Sequence, residues 1–188
     1  SSVNYEAVST YCEALHRIGV AGAFVNGTTG EGVSCTVEER LKLAEKWVET
    51  APSNFKIIVH IGHTSVYEAI KLAKHAQDIG AFGVASIAPF FFKPGSVAKL
   101  IEHLALEAAA CPELPYYFYH IPSLSGVNFP VINVLKEADG KIPNFHGIKY
   151  TFENLADTLE CVKFKDGKYD ILFGRDEMFM AGYLTGMK

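Results

Sequence analysis

Six short apolar runs alternate with helical patterns along this chain, at intervals of about 30 residues. Each run is too short for a helix and is bounded by Gly, Pro or polar residues, which is typical of buried strands. Strand, helix and strand in succession indicate βαβ units, whose strands are parallel and whose crossovers are right-handed. We therefore predict an α/β fold around a parallel sheet. Its strands are expected at 22–27, 56–62, 83–89, 115–121, 145–150 and 170–174.

Two of the intervening helices carry start and stop signals. Thr36 and Glu39 have the spacing of a capping box, and Ser65 and Glu68 repeat that spacing. The second helix is expected to end at Gly80, because glycine is favoured just after a helix. We predict a side-chain cap at the start of both helices.

The choice among parallel folds depends on the residues at the ends of the strands. The chain has 188 residues, 49% of them hydrophobic, with no Pro/Gly/Ser-rich linker, so one domain over 1–188 is expected. Neither GxGxxG nor GxxxxGK[ST] occurs after the first strand, which disfavours the doubly wound nucleotide folds. Polar residues instead gather at the ends of several strands, as in a (β/α)8 barrel, the TIM barrel.

The number of strands is too small for a complete barrel. A (β/α)8 barrel has eight strands and about 250 residues, whereas the pattern here predicts six strands. The chain opens with a helix and stops after another. We therefore predict an incomplete (β/α)8 barrel whose first and last strands are missing from this sequence.

The charge and cysteine content exclude several classes of partner. A net charge of −4 leaves no basic surplus for nucleic acid or an anionic membrane surface. No signal-peptide pattern and no long apolar run is present, so no membrane association is expected. The cysteines form no CxxC pair, which favours a reducing compartment, and we predict a cytoplasmic protein. They are Cys12, Cys35, Cys111 and Cys161.

Lys149 ends the apolar run FHGIKY and is followed by Tyr150 and Thr151. A lysine at a strand end is usually solvated. At the mouth of a barrel lined by aromatic side chains, however, partial loss of water favours the neutral amine, which is the nucleophile that forms Schiff bases. The position alone leaves both interpretations open.

Two other strand ends carry groups that suit the same chemistry. Tyr119 closes PYYFYHIP, where it is either a proton relay or one more core aromatic. The turn NGTTGEG at 26–32 offers hydroxyl groups and backbone amides that can bind a carboxylate, although a plain βα turn explains it as well. His60 and His63 could in principle share a metal, but no third ligand lies at short spacing, so no metal site is predicted.

Four segments together resemble a known family. FVNGTTGEG, YFYHIPSLSGV, FHGIKYT and LFGRDE, in this order and spacing, resemble the N-acetylneuraminate lyases (sialic acid aldolases). These belong to the pyruvate-dependent class I aldolases, which include dihydrodipicolinate synthase. The GTTGE turn and the lysine strand mark only the superfamily, while HIPSLSGV, IAPFFFKP and GRDE are more discriminating. The resemblance covers almost the whole chain.

The resemblance implies a (β/α)8 barrel that cleaves N-acetylneuraminate to N-acetylmannosamine and pyruvate. It implies that Lys149 forms the Schiff base and that Tyr119 relays the proton of the substrate's C4 hydroxyl. It also implies a homotetramer and no cofactor or metal beyond the lysine imine itself. Thr28 and Thr29 match the pair that holds the pyruvyl carboxylate. The positions that match contacts to the sugar are Thr151, Gly174, Asp176 and Glu177.

Two alternatives remain open from the sequence. A dihydrodipicolinate synthase carries an arginine for a second carboxylate where this chain has Leu124, and a tyrosine where IAPFFFKP has phenylalanines. Both differences favour a neutral polyol substrate. The family's first strand, and its last strand with a substrate-contacting serine, have no counterpart here. An inactive truncated chain that acts only as a binding or assembly partner is therefore the other alternative.

Overall fold

The computed structural model describes residues 2–187 and contains the six predicted strands. Five of them end one or two residues earlier than predicted, so the residues after them belong to loops at one end of the sheet. The fifth strand has the predicted bounds. The strands are β1 Gly22–Val25, β2 Lys56–His60, β3 Gly83–Ile87, β4 Tyr116–His120, β5 Phe145–Tyr150 and β6 Asp170–Phe173.

Helices separate the strands, as the alternating pattern predicts. Within the described residues no helix is both long enough and apolar enough to span a bilayer. The helices are α1 Ala7–Arg17, α2 Val37–Thr50, α3 Val66–Asp78, α4 Val97–Ala108, α5 Pro122–Ser125, α6 Val131–Ala138, α7 Leu155–Lys163 and α8 Phe179–Leu184.

One of the two predicted helix caps forms and the other does not. The N–H of Glu39 donates to Thr36 Oγ1 at 3.1 Å and the N–H of Thr36 donates to Glu39 Oε2 at 2.9 Å, so the capping box of α2 is confirmed. The predicted cap at Ser65 is wrong, because its side chain makes no capping hydrogen bond. The backbone N–H of Ser65 donates instead to the ring of His63. Gly80, with φ of +78°, follows the end of α3 as predicted.

The strands form one parallel sheet in the order β1 to β6, each paired with the next. Within residues 2–187, β1 and β6 are the two edges and do not pair with each other. A cleft of about 580 Å³ runs beside β1 and is lined by α1 and α2. The structure is therefore an incomplete (β/α)8 barrel, as predicted.

A bulge in β5 sets the position of Lys149. Tyr116 pairs with Phe145, but Tyr117 pairs with Gly147, so β5 contains one extra residue. Because a slip of one residue turns every side chain to the opposite face of a strand, this extra residue decides which face carries the lysine. It places Lys149 directly opposite Tyr119.

The apolar core has two parts on the two faces of the sheet. The larger part packs the sheet against the helices and includes Val84, Phe118 and Ile148. The smaller part contains Ile87, Tyr119 and Ile121, with Phe24 and Phe90 packed against it. The smaller cluster includes Tyr119, the predicted proton relay, and so lies beneath the candidate site.

Candidate active site

Lys149 lies half-buried on β5 between two aromatic rings. Its Nζ atom is 3.9 Å from the centroid of the Tyr119 ring and 4.8 Å from that of Phe24. The faces of aromatic rings attract a cation but cannot take its proton or form an ion pair with it. The amine is therefore held in place by groups that leave its nitrogen free to react once it is neutral.

Tyr119 is buried, but its hydroxyl is not simply packed in the core. Its Oη atom lies 3.2 Å from Thr28 Oγ1, within hydrogen-bond distance, and either hydroxyl can be the donor. This contact joins the end of β4 to the turn after β1. The structure thus brings together three of the predicted residues: the amine of Lys149, the phenol of Tyr119 and the hydroxyl of Thr28.

The two threonines of the turn do not share one environment. Thr28 contacts Tyr119, whereas Thr29 lines the cleft beside β1. Both residues are exposed to solvent. Of the two threonines predicted to bind the carboxylate, Thr28 therefore contacts the phenol, and Thr29 follows it in the turn after β1.

Gly174 and Thr151 form one wall of the space around the amine. A Cβ atom at Gly174 would lie 2.2 Å from Thr151 Oγ1 and 3.4 Å from Lys149 Nζ. The hydroxyl of Thr151 is buried and has no hydrogen-bond partner among residues 2–187. Because a buried hydroxyl without a partner is costly, this group is well suited to bind a polar ligand atom.

Asp176 and Glu177 lie further out, at the rim. They are exposed and belong to the short turn Asp176–Met178 that follows β6. The preceding residue, Arg175, forms an ion pair with Glu153. This pair ties the rim after β6 to the loop after β5, close to Thr151.

Both histidines that could have shared a metal have main-chain hydrogen-bond partners. His60 is buried, and its Nδ1 donates to the main-chain oxygen of Asn26 at 3.1 Å. His63 accepts the N–H of Ser65 with its own Nδ1 at 2.9 Å. Each ring thus has a main-chain partner, and no group of three or more His, Cys, Asp or Glu residues suited to a metal occurs among residues 2–187.

Comparison with known proteins supports the fold and assigns the family. The sequence model described as the Dihydrodipicolinate synthetase family matches residues 1–188. The N-acetylneuraminate lyase of Sus scrofa is 41% identical over 187 residues, which are 98% of this chain and 59% of that protein. This chain belongs to the dihydrodipicolinate synthetase family.

Solved structures in this family share the fold closely. The N-acetylneuraminate lyase of Aliivibrio salmonicida has a TM-score of 0.97 and 40% identity, covering 100% of this chain and 62% of that one. A dihydrodipicolinate synthase from Aquifex aeolicus has a TM-score of 0.92 and 29% identity, covering 100% and 63%. The chain thus spans about 60% of the length of its family relatives.

Three further residues were not predicted from the sequence. Phe24 contributes the second ring beside Lys149, Arg40 is buried behind the turn, and Lys93 lies against Gly126. A Cβ at Gly126 would be 2.6 Å from Lys93 Nζ, so a cation from the loop after β3 lies against the end of α5. The burial of Arg40 could have been predicted from the sequence. The buried face of α2 consists of Arg40, Ala44 and Trp47, which have helical spacing.

Because two histidines are buried, we predict that this protein loses stability in mild acid. Burial lowers the pKa of His60 to about 3, helped by the nearby charges of Arg40 and Lys149, and burial lowers that of His120 to about 4. Below about pH 6.5 the unfolded chain therefore binds protons that the folded chain does not. The free energy of unfolding should fall by up to about 1.4 kcal/mol per pH unit for each histidine.

Denaturant unfolding at several pH values measures this slope. We expect full stability above about pH 6.5 and a decline from there to about pH 4, where His120 finally accepts a proton. The variant His120→Phe should lose its share of the slope. An unchanged slope in that variant would contradict the assignment to His120.

Proposed function

We propose that this protein is a class I aldolase that cleaves N-acetylneuraminate to N-acetylmannosamine and pyruvate. The observation that carries the proposal is a chain of two contacts that links three groups, one from β5, one from β4 and one from the turn after β1. The amine of Lys149 lies over the ring of Tyr119, whose hydroxyl meets that of Thr28. A nucleophilic amine, a proton relay and a carboxylate-binding turn are the groups that this reaction requires.

The reaction begins at the substrate's C2 ketone. The neutral amine of Lys149 attacks C2, and loss of water gives a protonated imine, which can accept an electron pair. Tyr119 relays the proton of the C4 hydroxyl as the C3–C4 bond breaks and N-acetylmannosamine leaves. The electron pair passes to the imine as an enamine. Protonation at C3 and hydrolysis then release pyruvate and restore the amine.

The turn after β1 fixes the keto acid for this attack. Thr28, with Thr29 beside it, would bind the pyruvyl carboxylate through hydroxyl and backbone donors. Its contact with Tyr119 supports a position for the carboxylate next to the phenol. Holding the ketone within reach of the amine converts imine formation into a step between oriented partners.

The polyol portion of the substrate would lie along the wall after β5 and β6. The unpartnered hydroxyl of Thr151 and the open space at Gly174 support a polar ligand there. The exposed carboxylates of Asp176 and Glu177 supply acceptors for sugar hydroxyls at the rim. These four positions offer acceptors and neutral donors, which suit a polyol.

Assembly and location are also part of this proposal. A homotetramer is what the family resemblance implies. Exposed Phe91 and Phe92, in the loop after β3, supply apolar surface of the kind found in subunit contacts. The cytoplasm is supported by cysteines that form no disulfide in the described residues, as is usual in a reducing compartment.

Substrate preference tests the proposal against a synthase-like activity. In the full-length protein, N-acetylmannosamine should be a good acceptor for pyruvate and aspartate semialdehyde a poor one. Position 124 is a leucine, so the second carboxylate of the semialdehyde product would have no arginine to pair with. A condensation assay with both aldehydes gives the answer. Preference for aspartate semialdehyde would favour the synthase and would make Lys93, which lies against Gly126, a candidate partner for the second carboxylate.

The substitution Leu124→Arg also distinguishes a lyase from a synthase, by changing the protein instead of the substrate. Leu124 is 58% exposed on α5, and a long cation there would enter the space assigned to the sugar. We expect cleavage of N-acetylneuraminate to fall by about tenfold in kcat/KM. Leu106→Arg is the matched control, since Leu106 is 56% exposed on α4. Equal effects of both substitutions would contradict a specific role for position 124.

A truncated chain that acts only as an assembly partner makes the opposite prediction. Such a chain would neither form an imine with pyruvate nor turn over sialic acid. Assays of the 188-residue chain beside the full-length protein separate the two possibilities. Activity confined to the longer protein would assign catalysis to the closed barrel.

A further inference from the structure

Asn26, Arg40 and His60 form a closed set of side-chain to main-chain hydrogen bonds, here called the hydrogen-bonded triangle. Asn26 Nδ2 donates to the oxygen of Arg40 at 3.0 Å, and Arg40 Nη2 donates to the oxygen of His60 at 2.7 Å. His60 Nδ1 completes the triangle by donating to the oxygen of Asn26 at 3.1 Å. Each side chain therefore holds the backbone of the next member.

The triangle is costly to bury. Asn26, Arg40 and His60 are 4%, 2% and 3% exposed, and Arg40 Nη1 has only another neutral acceptor, the oxygen of Gly62. Burial lowers the pKa of Arg40 to about 10. Because apolar side chains could fill this space at lower cost, stability alone does not account for three buried polar groups, one of them charged.

The triangle acts directly on the turn that carries the threonines. Asn26 is the first residue after β1 to leave the extended conformation, with φ of +61°, a value that few residues other than glycine adopt. Its main-chain oxygen is enclosed by His60 on one side and by Gly32 on the other. A Cβ at Gly32 would be 2.0 Å from that oxygen. Two residues later comes Thr28, which contacts Tyr119.

We propose that Asn26, Arg40 and His60 are positioning residues that fix the carboxylate-binding turn against Tyr119. This inference rests on the proposed aldolase function. The triangle holds the Asn26 peptide in its unusual conformation and so sets the place of the Thr28 hydroxyl. None of the three needs to touch the substrate, since His60 bonds to the backbone of the turn and the other two bonds hold the backbones of Arg40 and His60 in place.

The surroundings of His60 keep its ring in the form that the triangle needs. Its ring packs edge-on against Tyr119 from β4 and beside Phe24 from β1. The charged groups that act on it are Arg40 from α2 and Lys149 from β5, and both oppose a further positive charge. Because a carbonyl oxygen can only accept, the proton of the neutral ring must be on Nδ1.

Trapping of pyruvate with borohydride tests the proposal in the full-length protein. His60→Phe keeps the ring packing but removes the donor to Asn26, so the turn should bind a carboxylate less well. We expect the pyruvate concentration for half-maximal adduct on Lys149 to rise about five- to tenfold. Pyruvamide, which has no carboxylate, should be affected less than about twofold. His60→Asn restores a donor near the position of Nδ1 and should recover most of the loss.

The control variant is His120→Phe. His120 is equally buried, but it packs against Tyr150 and Phe152, away from the triangle. It should lower the melting temperature without changing the pyruvate dependence. An unchanged pyruvate dependence in His60→Phe, or an equal loss with pyruvamide, would overturn the positioning role alone. Failure to trap pyruvate on Lys149 in the wild-type protein would instead overturn the proposed function on which that role rests.

Discussion

Lys149→Met is expected to abolish turnover and the covalent adduct that pyruvate forms with borohydride. Methionine fills similar space between the rings of Tyr119 and Phe24 but has no nucleophilic nitrogen. Loss of a covalent nucleophile should lower kcat by at least about 10⁴-fold. Reduction converts an imine into a stable amine, so peptide mapping of the wild-type protein should place the adduct on Lys149.

Lys56→Met is the matched control for this experiment. Lys56 Nζ lies 4.6 Å from the centroid of the Phe82 ring, so it is also a lysine over an aromatic ring, at the start of β2. Parallel strands carry barrel chemistry at their carboxyl ends, and Lys56 is at the opposite end. The Lys56→Met variant should keep its turnover and should still form the pyruvate adduct on Lys149. An adduct on another lysine of the folded full-length protein would refute the Schiff-base assignment.

Tyr119→Phe is expected to separate imine formation from carbon–carbon cleavage. The substitution keeps the aromatic face beneath Lys149 and the edge contact with His60, and it removes only the hydroxyl that meets Thr28. The pyruvate imine should still form and be trapped. Cleavage should slow by about 10²- to 10⁴-fold, the usual contribution of a positioned proton-transfer group.

Tyr117→Phe shows how much of that loss comes from removing any buried hydroxyl on β4. Tyr117 is 1% exposed, and its hydroxyl donates to Asp170 Oδ2 at 3.2 Å rather than to a residue of the site. Its turnover should stay close to wild type. If Tyr119→Phe and Tyr117→Phe had the same turnover, Tyr119 would be a core aromatic only.

The strands and the grouping of Lys149, Tyr119 and Thr28 could be predicted because they depend on local patterns. Apolar runs mark parallel strands, and chemistry collects at their carboxyl ends whatever the exact register. The bulge in β5 could not be predicted. It is a property of the pairing between Tyr117 and Gly147, and neither residue alone reveals it.

The hydrogen-bonded triangle was missed for a related reason. Its bonds end on main-chain oxygens, which every residue has, and they join positions 14, 20 and 34 residues apart. His60 therefore drew attention only as a possible metal ligand beside His63. The failed cap at Ser65 has a local cause, because the ring of His63, two residues earlier, accepts the backbone N–H of Ser65.

Gly174 leaves space beside Thr151 and Lys149 because it has no side chain. A single methyl group there would overlap the Thr151 hydroxyl and would come within 3.4 Å of Lys149 Nζ, while every strand and the lysine itself could remain unchanged. A relative with a side chain at this position would pass any test for the family fold and the catalytic lysine, yet would have to turn the hydroxyl away from the ligand. Position 174 therefore offers a one-residue criterion for sorting related sequences by the substrate they can admit.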